Sequence, residues 1–220
     1  MVTRRSLLGA AAGTGVLALA PSLPANAAGK GPARWTRGVS ANGWKIDPAA
    51  ITTYRVEGSN ATVALRQGRA AAVLLHVARR WHYEIAPLDT GEGGGITGHT
   101  TRRAVLAEFE SNYLSGTAIA LHPTAYPVAG SERLWPHHEA IVRDILADCE
   151  GTVVWGGDLT PIKTSHFEIV TRPGDKVLAS VAARFDISGQ TKFRMQTAGV
   201  VADPATPARR EKARRLPRPR

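Results

Sequence analysis

Residues 111–122 read SNYLSGTAIALH, and residues 165–169 read SHFEI. In the first stretch Ile119 and Leu121 alternate with Ala118, Ala120 and His122; in the second Phe167 and Ile169 alternate with His166 and Glu168. A strand places successive side chains on opposite faces. Both stretches therefore predict strands with one large apolar face and one small or polar face. Two such strands suit the lining of one cleft over one core.

Outward from these stretches, local pattern predicts short strands and helices in mixed order. Thr62 to Leu65 alternates like a strand. From Gly68 a helix is predicted, with Leu74, Val77, Ala78 and Trp81 on one face. Arg79 and Arg80 are expected in its last turn, followed by a strand over Tyr83 to Ile85. A second helix is expected to start at Ser131 or Glu132, carry Ile141, Ile145 and Leu146 inward, and end at Gly151. Strands are expected at Thr152 to Trp155 and Phe167 to Val170, and a helix at Val177 to Phe185. The run Gly91-Glu92-Gly93-Gly94-Gly95 reads as a loop; no Gly-Lys-Ser/Thr follows, so it is no phosphate cradle. This order, without regular βαβ alternation, predicts an α+β domain: a small mixed or antiparallel sheet with helices packed on one side.

Beyond periodicity, the residues resemble a known family: the bacterial zinc D-alanyl-D-alanine carboxypeptidases and L-alanyl-D-glutamate endopeptidases, which share the Hedgehog/DD-peptidase fold. Ser111, Gly116 and Ala118 stand in register with the family motif S-x-H-x-x-G-x-A-x-D. Trp155 to Asp158 and His166 to Ile169 match its Trp-Gly-Gly-Asp turn and following His-Phe-Glu-like strand. The resemblance runs from about Ser40 to Phe185. It implies metal-assisted hydrolysis of a peptidoglycan peptide amide.

The departures fall on the chemistry. The family's first zinc-binding His corresponds to Tyr113, its Asp ligand to Ala120, and its general base to Lys163; only the ligand His166 is kept. A catalytic zinc takes three protein ligands and an open position. A methyl group donates nothing, a neutral phenol is a poor ligand, and an ammonium ion repels the dication and accepts no proton. The resemblance thus implies a lost metal site, with no cofactor expected unless the site is rearranged. His166 reads as either a relic ligand or a hydrogen-bonded histidine beside a cleft. An ion pair of Lys163 with Glu168 across the old metal position is one expectation. A relocated site built from His122, His166 and either His82 or His99 is another. Upstream, Arg102 or Arg103 is a candidate for the arginine that holds the peptide carboxylate in family enzymes, a task that suits a guanidinium fork. Ser111 is a further cleft candidate.

The 220-residue chain has a net charge of +10. Six Arg and one Lys against Glu211 crowd into residues 209–220, and Arg4 and Arg5 add two more charges, leaving only +2 elsewhere. A basic nucleic-acid-binding face is therefore excluded as an expectation. Arg4-Arg5-Ser6-Leu7-Leu8, an Ala/Gly-rich apolar stretch and the small-residue site Ala25-Asn26-Ala27 resemble a twin-arginine export signal over 1–27. An ordinary secretory signal is the alternative. Residues 28–39 read as a linker, 40–202 as the DD-peptidase-like domain, and 203–220 as a disordered Arg/Pro tail. No second apolar run suggests a membrane span. A single Cys149 excludes an internal disulfide.

Together these readings predict an exported, catalytically silent domain at the cell wall, outside the cytoplasm. It is expected to bind peptidoglycan stem peptides, attach to anionic wall polymers or serve as a scaffold. The alternatives are a metallopeptidase with a rearranged metal site and a protein-interaction module.

Overall fold

The alternation in the two quoted stretches is realised in a four-stranded antiparallel sheet of order β4-β6-β8-β7. Its strands are β4 (Ile96–Thr97), β6 (Ala118–Leu121), β7 (Val153–Trp155) and β8 (His166–Ile169). The computed structural model describes residues 31–185 and 206–216. The residues read as an export signal, 1–27, lie outside them. Two smaller antiparallel pairs accompany it: a hairpin of β2 (Ile51–Arg55) with β3 (Thr62–Arg66), and β1 (Ala33–Arg34) with β5 (Ala104–Val105). Among the described residues the helices are α1 (Arg69–Glu84), α2 (Pro136–Asp148), α3 (Lys176–Phe185) and α4 (Pro207–Arg215). The chain is α+β, with small antiparallel sheets.

Register gives the central sheet its two faces. Across β6 and β8, Ala118 pairs with Glu168, Ile119 with Phe167 and Ala120 with His166. Ile119, Leu121, Phe167 and Ile169 enter the main core with Leu74, Val77 and Trp81 of α1 and Ile145 of α2. Trp81 meets Phe167 edge to face, with ring centroids 5.8 Å apart. Such pairs contribute about 0.5–1.5 kcal/mol beyond area burial. The opposite face carries Ala118 and Ala120 against Tyr113 in a separate cluster.

Two glycines allow the close approaches this arrangement needs. Gly116 has φ +68, and a Cβ there would lie 2.7 Å from the Arg66 amide nitrogen. At Gly156 a Cβ would lie 2.2 Å from the Lys163 carbonyl oxygen and 2.8 Å from the His166 Cβ. Gly156 accepts the Lys163 N–H at 2.9 Å, so the turn after β7 holds the start of β8 by direct backbone contact.

Several local expectations need correction. Tyr83 and Glu84 belong to α1, which is followed by Ile85, and no strand begins there. The nearest breaker is Pro87, beyond the helix end, so the Ala-rich helix runs on. Arg80 consequently lies inside the helix, 8% exposed, and faces a core-side acidic group. The second helix begins at Pro136 and not at Ser131 or Glu132. Proline fits the first helical position but forces the residue before it out of helical geometry, and Trp135 has ψ 148. Part of the expected linker is built into the fold: β1 pairs with β5, and Trp35 is buried against Val105 and Leu114.

The expected disordered tail contains α4, which packs on α2. Pro207 opens it, and Arg209 reaches Asp144 and Asp148 of α2. Its Nη2 donates to Asp144 at 2.8 Å and to Asp148 at 2.7 Å. From the other side Arg80 Nη1 donates to the same two carboxylates at 2.8 and 2.9 Å. Leu216 packs against the main core. Composition counts apolar residues and so overlooked a tail held by charge. Burial pushes the Asp148 carboxyl up, but hydrogen bonds from His76 and Arg209 and the Arg209 and Arg80 charges outweigh it, holding it well below the usual range. Burial lowers the His76 imidazole despite Asp148 beside it.

Arg209→Ala is expected to lower unfolding stability at pH 7 by about 1.5–3 kcal/mol, the range for hydrogen bonds to charged groups. Urea titration measures this. Both shifts make the unfolded chain bind more protons in acid. Stability is therefore expected to fall as the pH drops below about 6.5 through His76, and again below about 4 through Asp148. The gap between parent and variant should narrow in that second window.

Candidate functional site

The polar face of the sheet holds a closed chain of hydrogen bonds centred on His166, whose side chain is fully buried. The Tyr113 hydroxyl lies 2.7 Å from Nδ1, and Glu168 Oε2 lies 2.9 Å from Nε2. A carboxylate accepts, so Nε2 carries the proton; with a neutral ring, Nδ1 then accepts from the Tyr113 O–H. Asn112 Nδ2 donates to the same Glu168 oxygen. Register explains the assembly: Ala118 and Ala120, opposite Glu168 and His166, leave the room that the Tyr113 ring occupies. Phe109 closes the remaining side, its ring centroid 4.8 Å from that of His166.

Tyr113 and Asn112 arrive on a 3-10 turn spanning Glu108–Tyr113. The same turn supplies Glu110, which accepts from Lys163 Nζ at 2.8 Å. The Lys163 ammonium also sits 4.8 Å from the Tyr113 ring centroid, within cation–π range. Burial pushes the Glu110 carboxyl up, but the hydrogen bond and charge of Lys163, with the Leu106 N–H, outweigh it and hold it below its ordinary value. Burial pushes the Tyr113 phenol well up, and the Glu110 and Glu168 charges push it further, so it stays a neutral phenol.

The sequence-predicted residues thus divide into two groups. Tyr113, Ala120, Lys163, His166 and Glu168 are brought together. Lys163 pairs with Glu110 and not with Glu168, which is already taken by His166 and Asn112. Ser111 is fully buried under the turn; its Oγ donates to the Glu108 carbonyl at 2.7 Å and accepts the Ala41 N–H at 2.8 Å. It staples the 40–44 segment and takes no place in a cleft.

His122 departs from the expected parity because its φ of 53 breaks the strand alternation. Its ring lies 6.1 Å from that of Trp81 on the core side, with Nδ1 2.9 Å from the Glu92 carbonyl. His82 Nδ1 accepts the Leu88 N–H at 3.0 Å. The relocated histidine set is therefore not assembled: among the described residues, no group of three or more His, Cys, Asp or Glu is placed to hold a metal. Arg103 is occupied by the Trp35 and Arg37 carbonyls, both at 3.2 Å, and Arg102 is exposed.

A zinc ion does not fit these residues. Both ring nitrogens of His166 are engaged, Tyr113 keeps its proton, Ala120 has no donor, and Lys163 places a cation beside the position. What remains open is a cleft of about 470 Å3 next to Glu168, lined also by Asn42, Gly43, Asn112, Val170 and Arg172. Asn42 shapes its wall, donating to Thr117 Oγ1 at 2.8 Å and to the Ile169 carbonyl at 2.7 Å. Glu110, Asn112, Asn42 and Arg172 were missed by sequence reasoning. Only the proximity of Glu110 and Asn112 to the Ser111 motif could have flagged them.

Compared with family models, with curated proteins and with solved structures, the chain finds no match in any of the three.

Tyr113→Phe is expected to destabilise the domain by about 1–3 kcal/mol, because it leaves a buried imidazole nitrogen without its partner. Lys163→Met is expected to raise the Glu110 titration midpoint, read by carboxyl-carbon NMR. The pair's stabilisation exists above the ordinary carboxylate value, about 4.3, and is lost as the pH falls. The variant should lose that acid-sensitive increment.

Proposed function

We propose that this chain is an exported, peptidase-like domain of the Hedgehog/DD-peptidase type that binds peptidoglycan stem peptides without hydrolysing them. The observation that carries the reading is the occupation of both His166 nitrogens, by Tyr113 and Glu168, beside a cleft that stays open. Hydrolysis of an amide needs a water activated by a Lewis acid or by a base. Here Lys163 is tied to Glu110, and Glu168 already accepts two hydrogen bonds.

Binding makes smaller demands. The cleft offers a carboxylate, Glu168, and a guanidinium, Arg172, on one wall system. Stem peptides present amines and carboxylates of the matching signs, and a guanidinium holds a carboxylate by a two-pronged bond. The fold reading is supported by Gly116 and Gly156. Both motif glycines occupy places where a Cβ would collide with backbone.

The test uses the protein from Ala28 onward and the synthetic peptide L-Ala-γ-D-Glu-L-Lys-D-Ala-D-Ala. Calorimetry should show one-to-one binding, weakened about tenfold or more by Arg172→Glu, while mass spectrometry finds the peptide intact. Elemental analysis should find no stoichiometric zinc. Absence of binding would overturn the ligand, and release of D-alanine by zinc-loaded protein would overturn the silence.

A further inference from the structure

A cavity of about 690 Å3 lies away from His166 and shares no residue with the cleft at Glu168. It is formed between the β2–β3 hairpin, α1 and α3. Ala71, Ala72 and Leu75 of α1 and Ala182 and Phe185 of α3 give it an apolar floor. The small side chains matter here: alanines facing one another across two packed helices leave volume that larger residues would fill. The size falls within the range of small-molecule sites, about 300–1,000 Å3.

The rim is cationic. Arg55, Arg69 and Arg79 face one carboxylate, Glu57. Arg79 is paired with Glu57 at 3.2 Å. Arg55 is held only by neutral acceptors, the Ser59 carbonyl at 2.6 Å and Asn60 Oδ1 at 2.8 Å, so its charge is uncompensated. Arg69 opens α1, where the helix dipole disfavours a cation, and no acidic residue stands in that first turn. No side chain caps the helix start, and Gly68, whose φ is +84, has empty space where a Cβ would be. His76, stacked on Phe185 at 3.7 Å, is engaged by Asp148 and adds no fixed charge of its own to the rim. The balance is two guanidinium groups without a counter-charge over an apolar floor.

We propose that this cavity binds an amphiphile with one anionic head and one apolar chain. The head sits at Arg69, which has no counter-charge beside the uncapped start of α1, and the chain lies along the alanines between α1 and α3. An anion there relieves the charge that Arg69 brings to the helix start. The alanine floor takes a flexible hydrocarbon without polar partners. A carboxylate and a phosphate monoester satisfy the same guanidinium group, and the experiment separates them.

Dodecanoate, dodecyl phosphate and dodecyltrimethylammonium, each below its micelle threshold, are titrated calorimetrically into the full-length protein. One-to-one binding of either anion with no binding of the cation is expected. The tighter of the two anions identifies the head group. Arg69→Glu, at an exposed position, should weaken the anion about tenfold or more. Ala72→Phe should abolish binding by filling the floor, with a circular dichroism melt confirming that the variant is folded. Affinity should fall as salt rises from about 50 to about 500 mM. Failure of both anions to bind, equal binding of the cation, or unchanged binding in folded Ala72→Phe would overturn the proposal. None of these outcomes bears on the peptide reading of the other cleft.

Discussion

The pairing of Ile119 with Phe167 across β6 and β8 is the contact on which the rest of the molecule depends. It commits two large side chains to the main core beneath Trp81. By the period of the strand, it also commits Ala118, Ala120, His166 and Glu168 to the opposite face. A one-residue slip would exchange the two sets and bury an imidazole and a carboxylate among leucines and valines. The glycine at 156 secures this register from outside, because the turn after β7 lies against Lys163 and His166 with no room for a Cβ.

Once His166 and Glu168 are on that face, their burial dictates their partners. Polar groups removed from water need hydrogen bonds. Tyr113, Asn112 and Glu168 supply them, so that His166 has no nitrogen left over. The result is a site organised for self-satisfaction. Lys163 follows the same rule: its side chain is only 12% exposed, and its ammonium is compensated by Glu110 and by the face of the Tyr113 ring.

A second buried ionic cluster plays a different part. Arg80, Asp144, Asp148, Arg209 and His76 join α1, α2 and α4, each carboxylate being shared by two arginines. Breaking one partner of such a group leaves charge uncompensated, which costs far more than an exposed pair. This cluster is why a helix of nine residues with no buried side chain of its own has a defined seat.

Sequence alone determined what is local. Alternation placed β3, β6 and β8, and the apolar stripe of Leu74, Val77 and Trp81 placed α1. The chemistry of Tyr113, Ala120 and Lys163 set the expectation that a zinc site of the resembled kind is lost, whatever the fold. Boundaries were less legible where a helix ran past its apolar stripe, as at Tyr83, or waited for Pro136. His122 was misread because a positive φ at the end of a strand cancels its parity, and no neighbouring residue type announces it. Only the tertiary structure decided the pairings: Lys163 with Glu110, 53 residues apart, and Arg209 with Asp144, 65 residues apart. Periodicity reports which face a side chain takes. It carries no information on which distant charge will meet it, because Coulombic partners are selected by the packing of elements, and that packing is fixed by apolar surfaces elsewhere in the chain.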